Sequence, residues 1–569
     1  MSERPDLVIR GGTVADGSGG PLREADVAVS GGRISAVGSV VQNGREEIDA
    51  RGRLVTPGFV DVHTHYDAQV TWANQILPSS CNGVTTVLMG NCGVGFAPVR
   101  PEHHDMLISL MEGVEDIPEV VMQEGLPWNW ASFPDYLDML AERQFDVDVA
   151  TQVPHAALRV FVMGERGAQR EEATAADRAE MARLTAEGMR AGAFGFSTSR
   201  LLQHRTAEGE PVPSYGAAEA ELAEIADAVA GVGRGWLQVV GDFGDAIDAE
   251  FGLLKRLALR SGRPVTFTLL QTHRYPEQWR DLLERTAAAN ADGAEITGQI
   301  RGRPTSTLLG FELSHNPFLG CASWPALAAL AMPERVAALR DPALRARLIA
   351  EPGGSRAQIR RHQDWDNLFP LGDPPVYEPD PGTSIAAEAA RRSIQPAELA
   401  YDLMLENDGR GILYHPVTNY AGGDMGPVYE MLGHPNTLIG LGDGGAHVGI
   451  MCDATDMLHT LSHWTRDRSR GPKRGLEEMV RRLTSANADA MGLTDRGRIA
   501  PGLRADINVL DYDAVQLRGP EVRYDLPAGG KRILQGSRGI DATLVAGVPI
   551  WRQGEATGAL PGRLVRSGR

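Results

Sequence analysis

Residues 57–67 (PGFVDVHTHYD) combine a Pro-Gly turn, a short apolar run and two histidines separated by one residue. Alternate side chains of a strand point the same way, so His63 and His65 leave the strand end on one side of the chain. If the strand ends at the mouth of a barrel, both imidazoles can reach one metal ion at about 2.0–2.1 Å. A histidine pair that binds no metal is the alternative. The turn and the apolar run favour a divalent transition metal bound by His63 and His65.

The chain beyond this segment repeats a pattern of strand, loop and helix. Thr174 and Asp177 predict the start of one such helix through a capping box, and Gly192 predicts its end. Repeated βα units form a parallel sheet, and about eight of them close as a barrel. We therefore predict an α/β protein built on a (β/α)8 TIM-type barrel. Its further strands are predicted at residues 84–89, 147–153, 193–197, 236–240, 265–270, 295–300 and 438–442.

The two ends of the chain have a different pattern, with short β-prone runs between glycine turns. Because neither end is long enough for a core of its own, we predict that they pair into one small β-sandwich. Two independent flaps on the barrel are the alternative. The predicted divisions are 1–56 and 498–569 for the sandwich and 57–497 for the barrel, with insertions at about 103–145 and 303–410. Insertions of this kind shape the substrate site or make oligomer contacts.

The composition of the chain argues against several kinds of partner and several kinds of site. The 569 residues carry 56 basic and 74 acidic side chains, a formal net charge of −18. That balance disfavours nucleic acid or an anionic membrane as partner. Four cysteines are too few for a disulfide framework in so long a chain, and the lack of a C-x-x-C pair argues against an iron–sulfur cluster or a zinc ribbon. With no signal-like start and no apolar run near 20 residues, we expect a cytoplasmic globular protein with a small-molecule partner, and a homo-oligomer is compatible with this.

Several motifs resemble the amidohydrolase superfamily. The segment at residues 57–67 fits the motifs of that superfamily. The segment at residues 497–507 (GRIAPGLRADI), near the C-terminus, fits them as well. Within that superfamily the chain looks most like the N-acyl-D-amino-acid deacylase (D-aminoacylase) branch. The motifs that carry this second resemblance are residues 90–93 (GNCG), Arg159 with residues 162–164 (VMG), and residues 192–197 (GAFGFS). The resemblance implies a metal-dependent hydrolase of a C–N bond, in which zinc is the first expected metal.

The resemblance also gives roles to two further residues. Cys92 follows the predicted second strand, where the similar deacylases place a metal-binding thiolate; a small buried packing residue is the alternative. Asp443 follows the last predicted strand, between glycines, where an acidic residue is often only a turn former. In the similar enzymes this aspartate contacts the metal and passes a proton from water to the leaving nitrogen. We predict metal ligands at His63, His65, Cys92 and Asp443, with Asp443 also catalytic.

One feature departs from the similar deacylases, which carry metal-binding histidines at the ends of the fifth and sixth strands. The corresponding stretches here contain none and offer no lysine. Gln238, Gln271 or His273 could substitute, but we favour a single ion, with zinc ahead of manganese or iron. His155 and His415 are open between substrate contact and a structural role. The arginines near predicted strand ends are candidates for clamping a substrate carboxylate, and none is preferred: Arg159, Arg200, Arg274 and Arg301.

We expect an amidohydrolase that deacylates an N-acyl amino acid, with the D configuration resting on the resemblance alone. A hydrolase of a cyclic amide or imide, or of a secondary-metabolite amide, is the alternative among enzymes. A metal-free barrel kept as a scaffold is the alternative outside enzymes. Retention of all four predicted metal-binding residues (His63, His65, Cys92 and Asp443) argues against the scaffold. A deaminase is disfavoured because the chain contains no H-x-x-E to supply a helper glutamate.

Overall fold

The computed structural model describes residues 4–351 and 362–568, which form a mixed α/β fold. Its centre consists of short parallel strands, each followed by a connection that contains one or more helices. The third of these strands is interrupted at Gln152. In chain order, the first to eighth central strands are Phe59–Asp61, Val84–Met89, Asp148–Thr151 with Val153–Pro154, Gly195–Ser199, Trp236–Val240, Val265–Thr268, Ile296–Ile300 and Thr437–Ile439.

The central strands form two parallel sheets in which neighbours in sequence are neighbours in space. The first strand, the second strand and the first piece of the third make a three-stranded sheet. The second piece of the third strand and the fourth to eighth strands make a six-stranded sheet. Val84–Met89 and Trp236–Val240 are buried along their whole length, as expected of parallel strands that are covered on both faces.

Backbone hydrogen bonds connect the two sheets at both of their edges. At the interrupted third strand, the N–H of Gln152 donates to the carbonyl of Met89 (3.1 Å). The first and eighth strands run on into loops that bond to each other, since the N–H of Asp443 donates to the carbonyl of His63 (3.0 Å). The Asn487 amide donates to backbone carbonyls of the first and eighth strands and so ties them together.

Helices cover the central sheets and begin and end at recognisable signals. The helix Ala175–Ala191 starts with a capping box between Thr174 and Asp177 and ends at Gly192, where φ is 127°. Both ends match the sequence prediction, which is confirmed for this element. The α-helices of the central part are Gln69–Trp72, His155–Met163, Glu165–Ala168, Ala175–Ala191, Glu219–Val232, Ile247–Ser261, Gln278–Ala291, Gly426–Gly433, Asp456–Ser462, Leu476–Leu483 and Ser485–Ala490.

Strands from both ends of the chain share one nine-stranded sheet. Its two halves meet where Leu54–Pro57 pairs antiparallel with Ile507–Leu510. Its buried residues, among them Ile9, Val55 and Ile507, form a separate hydrophobic cluster. The strands are Leu7–Val14, Arg23–Ser30, Arg33–Gly38, Glu46–Asp49, Leu54–Pro57, Ile507–Leu510, Ile540–Val545, Val548–Arg552 and Glu555–Ala556.

Two long connections extend beyond the central sheets. The one after the second strand contains the helices His104–Glu115, Glu119–Gly125 and Phe133–Ala141. The one after the seventh strand contains the helices Trp324–Ala328, Met332–Leu339, Pro342–Ala350, Ile385–Arg392 and Pro396–Gly409 and the strands Ser306–Leu309, Phe369–Pro370 and Leu413–Pro416. Two strand pairs complete the list: Gln516–Leu517 with Ser537–Arg538, and Glu521–Arg523 with Arg532–Leu534.

Among the described residues, no helix has both the length and the apolar character needed to span a bilayer.

The eighth strand ends at Ile439, earlier than the predicted 442, because the following backbone leaves the extended region. Leu441 and Asp443 have φ values of 62° and 46°, a left-handed conformation that is uncommon for non-glycine residues. This bend places Asp443 beside the residues that follow the first strand.

Candidate metal centre

Three of the four predicted metal ligands meet where the first and second strands end. His63 and His65 follow the first strand with only 1% and 2% of their surface exposed, and Cys92 follows the second with 8% exposed. Cys92 has a left-handed backbone with φ of 55°, and its N–H donates to the side-chain oxygen of Gln238 (2.9 Å). The chain therefore holds this cysteine through a strained turn and a buried hydrogen bond.

The ligand atoms of these residues converge. His63 Nε2 lies 3.2 Å and His65 Nε2 3.8 Å from Cys92 Sγ. In the described part of the chain, this is the one group of three or more histidine, cysteine or acidic side chains whose ligand atoms all lie within 4.8 Å of one another. Nitrogen and sulfur ligands of one tetrahedral zinc ion are roughly 3.4–3.6 Å apart. The donor types and their spacing therefore fit a single transition-metal ion.

Asp443 joins this group from the other side. Its Oδ1 lies 3.6 Å from His63 Nε2 and 3.8 Å from His65 Nε2. Its Oδ2 lies 3.0 Å from Nη2 of Arg301, a side chain that is 1% exposed. Burial opposes ionisation of Asp443, but the charged guanidinium of Arg301 lowers the pKa of this carboxyl to about 2. The carboxylate is therefore charged, with one oxygen held by the arginine and the other directed at the metal-binding side chains.

The other nitrogen of each histidine faces an oxygen. His63 Nδ1 lies 2.6 Å from Oε1 of Gln299, whose amide in turn donates to Thr266. His65 Nδ1 lies 3.2 Å from Oε1 of Glu115, a buried residue. The Gln299 oxygen favours the His63 tautomer that carries its proton on Nδ1 and leaves the Nε2 lone pair free. Among the described residues, His65 Nδ1 makes no hydrogen bond, although Glu115 is its near neighbour. Burial lowers the pKa of both histidines, which keeps them neutral and suited to metal binding.

The substitutes considered for the fifth- and sixth-strand histidines have other partners. Gln238 accepts the Cys92 N–H described above. The Gln271 side chain donates to the carbonyl of Pro276 and accepts the N–H of Ala421. His273 is exposed on the loop after the sixth strand. None of the three completes a second ligand group among the described residues.

The two open histidines lie in other contacts. His155 is fully buried between Oγ1 of Thr198 (2.8 Å) and Oε1 of Glu221 (2.7 Å). The same Glu221 pairs with Arg159, so His155 belongs to a buried ionic network. His415 lies 4.0 Å from Oδ2 of Asp364. Neither belongs to the metal-binding group.

Each arginine proposed as a carboxylate clamp contacts a carboxylate of the protein itself. Arg159 pairs with Glu221, and Arg301 pairs with Asp443. The remaining two pairs are Arg200 with Glu250 at 2.8 Å and Arg274 with Asp245 at 3.2 Å. Because an arginine already bonded to a carboxylate has fewer donors left for a substrate, none of the four stands out as a clamp.

Sequence reasoning missed several polar groups at this site. Glu115 and Gln299 face the two histidines, but neither stands in a motif. His447 follows Asp443 by four residues, and its Nε2 lies 3.8 Å from Glu115 Oε2. His204 is held by Oγ of Ser199 at 2.8 Å, and burial together with His447 lowers its pKa to about 4. Its place in the loop after the fourth strand, five residues beyond Ser199, is the signal that could have identified it.

A known protein family and several relatives match most of this chain. A family model described as "Amidohydrolase family" matches residues 46–551. The N-acyl-D-aspartate deacylase of Alcaligenes xylosoxydans xylosoxydans is 29% identical, over 99% of this chain and 95% of the relative. The N-acyl-D-glutamate deacylase of the same organism is 28% identical, over 100% and 97%.

The similarity extends to solved structures. A D-aminoacylase crystal structure has 23% sequence identity and a TM-score of 0.66, with 99% of this chain and 100% of that chain covered. The N-acyl-D-glutamate deacylase of Bordetella bronchiseptica, solved with zinc and a phosphonate inhibitor, has 24% identity and a TM-score of 0.64, with the same coverage. The mixed α/β fold of this chain therefore resembles that of D-aminoacylase.

Proposed function

The chain belongs to the amidohydrolase family, and we propose that it is a metal-dependent hydrolase that removes the acyl group from an N-acyl-D-amino acid. The observation that carries this proposal is the convergence of His63, His65 and Cys92 in a buried group that Asp443 faces through one free oxygen. The names of the relatives support the substrate class, since two of them are deacylases of N-acyl-D-amino acids.

We favour a single zinc ion as the cofactor, bound by His63, His65 and Cys92 with Asp443 beside them. The mixed nitrogen, sulfur and oxygen donors suit zinc. At the fifth strand Gln238 is engaged with the Cys92 backbone, and at the sixth strand Thr266 accepts from Gln299. The described residues offer one group of converging ligand atoms, which supports a single ion. When bound, the ion would polarise the amide carbonyl and lower the pKa of water from 15.7 to about 7.

The protein's own groups account for the proton transfers. Asp443 is ionised, and its Oδ1 faces His63 and His65 at 3.6 and 3.8 Å, so this oxygen can accept the proton of the attacking water. The same oxygen can then deliver that proton to the nitrogen that leaves. Arg301 holds Oδ2 and so keeps the carboxylate in one orientation throughout.

We propose that the two central sheets together form a (β/α)8 barrel. The order of the strands follows the chain, and backbone hydrogen bonds connect the sheets at the third strand and between the loops after the first and eighth strands. The proposed divisions are 57–497 for the barrel, with insertions at about 103–145 and 303–410, and 1–56 with 498–569 for a small β-sandwich. The shared nine-stranded sheet supports this last pairing.

We also propose that the protein is cytoplasmic. The four cysteines form no disulfide, which is compatible with the cytoplasm.

A substrate panel tests the proposal. Zinc-loaded enzyme is assayed with N-acyl-D-amino acids, the matching N-acyl-L-amino acids and cyclic amides, beside the His63→Ala variant. We expect turnover of the D series by the wild type and loss of both zinc and turnover in the variant. Turnover confined to cyclic amides would replace the deacylase assignment, and no turnover of any amide would refute it.

A further inference from the structure

Glu115 is a buried carboxylate for which the proposed reaction has no use, and it belongs to the long connection after the second strand. We propose that Glu115 is a positioning residue of the metal centre, which orients His65 through Nδ1 and connects the helix His104–Glu115 to the loop that carries Asp443. The inference rests on the proposed function in one respect, that His65 binds the metal through Nε2.

The two sides of the His65 ring show why Glu115 is suited to this role. Nε2 faces Cys92 Sγ and Asp443 Oδ1, each at 3.8 Å. Nδ1 is buried and has no hydrogen-bond partner among the described residues, and Oε1 of Glu115 lies 3.2 Å from it. A carboxylate behind a metal-binding histidine fixes the ring and its tautomer and makes the ligand nitrogen more basic. His63 has the neutral oxygen of Gln299 at the same position.

The charges around Glu115 also point to a cation. Its side chain is 1% exposed and lies at the C-terminal end of a helix, where the helix dipole disfavours negative charge. Burial makes a negative charge on Glu115 costly, and the nearby carboxylates of Asp443 and Asp67 add repulsion to that cost. Within residues 4–351 and 362–568, no lysine or arginine pairs with Glu115, and its ion-pair contacts are His65 and His447. A divalent ion at the neighbouring histidines would supply the missing positive charge.

The end of the helix is bonded to the loop after the eighth strand. The carbonyl of Glu115 accepts the N–H of His447. The next residue, Asp116, ends the helix with φ of 53° and accepts the N–H of Gly449 through its side chain (3.1 Å). The segment that positions His65 therefore also holds the residues that follow Asp443. Through Glu115, the helix His104–Glu115 contacts both His65 and the loop that carries Asp443.

Zinc affinity tests this role without an activity assay. Apo wild type, Glu115→Gln and Glu115→Ala are titrated with zinc in competition with a chromophoric chelator, and the cobalt-substituted proteins are compared by absorption spectroscopy. Glu112→Gln, one turn earlier on the same helix, is the matched control. Glutamine has nearly the same shape as glutamate, so Glu115→Gln keeps the packing, and circular dichroism of the apo proteins reports folding.

We expect zinc affinity to fall by about 10–100-fold in Glu115→Ala and by a smaller factor in Glu115→Gln, which retains an acceptor oxygen but no charge. The cobalt spectrum should change in both, and Glu112→Gln should match the wild type. Folded Glu115 variants that bind zinc as the wild type does, with the same cobalt spectrum, would overturn the positioning role alone. Failure of the wild type to bind zinc, or binding that His65→Ala leaves unchanged, would overturn the proposed function as well.

Discussion

Arg301 and Asp443 form an ion pair at the edge of the candidate metal centre, with Nη2 3.0 Å from Oδ2. Arg301 holds Oδ2 of Asp443, and Oδ1 is left to face the metal-binding side chains. Arg301 is also bonded to Asp453 through Nη1 at 2.7 Å, so its guanidinium bridges two carboxylates. Lysine carries the same charge but cannot reproduce this forked arrangement.

We predict that Arg301→Lys raises the pKa of Asp443 and lowers activity. Because catalysis needs the ionised carboxylate, activity is lost as the pH falls through this pKa, and the acid limb of the profile moves to higher pH. The measurement is kcat/KM against pH for both proteins, with zinc content determined in parallel. An acid limb at the same pH in the folded, zinc-loaded variant would contradict the role of Arg301.

Asp443→Asn should separate metal binding from turnover. The amide retains an oxygen near His63 and His65, so zinc bound through those residues and Cys92 should remain. It cannot accept a proton, so kcat/KM should fall by a factor on the order of 10²–10⁴. Steady-state kinetics with elemental analysis of the same sample measures both. Near-normal turnover in this variant would contradict its role as the base.

Gln299→Leu should weaken zinc binding through His63. The substitution removes the oxygen that lies 2.6 Å from His63 Nδ1 and leaves a side chain of similar volume. We expect zinc affinity to fall by about 10-fold, because the ring loses the acceptor that fixes its tautomer. Chelator competition gives the affinity. Gln271→Leu, on a loop that does not contact His63, is the control and should bind zinc as the wild type does.

The stability of the fold should depend on Glu221 in acid. Burial opposes its ionisation, but His155 and Arg159 lower its pKa to about 2. Since this pKa lies below that of the unfolded chain, the stabilisation is present above about pH 4.5 and is lost as the pH falls toward 2. Glu221→Gln should cost about 3–5 kcal/mol at neutral pH, because it leaves Arg159 without its buried partner. Denaturant unfolding between pH 3 and pH 7 measures this, and equal stability of variant and wild type at neutral pH would contradict it.

The four residues predicted from sequence follow directly after strands, which is why they could be found. The histidine pair follows an apolar run and a Pro-Gly turn, whereas Cys92 and Asp443 needed the family resemblance as well. The structure brings all four together. Glu115 could not be found, because only the fold of the long connection after the second strand brings it to His65.

At other positions too, the local sequence pattern gave no signal or a misleading one. Gln299 has the pattern of an ordinary residue of the seventh strand, and only the tertiary fold brings it to His63, 236 residues away. His155 follows a strand end as the ligands do, yet it bonds to Glu221 in a separate network. The left-handed backbone at Leu441 and Asp443 carried no sequence signal, so the eighth strand was predicted to extend three residues too far.

Anomalous diffraction at the zinc absorption edge, from crystals of zinc-loaded wild-type protein, tests the central claim most directly. We predict one strong peak per chain within bonding distance of His63 Nε2, His65 Nε2 and Cys92 Sγ, with Asp443 Oδ1 beside it. Absence of a peak at these atoms, or a peak of full occupancy elsewhere with this group empty, would contradict the proposed metal centre.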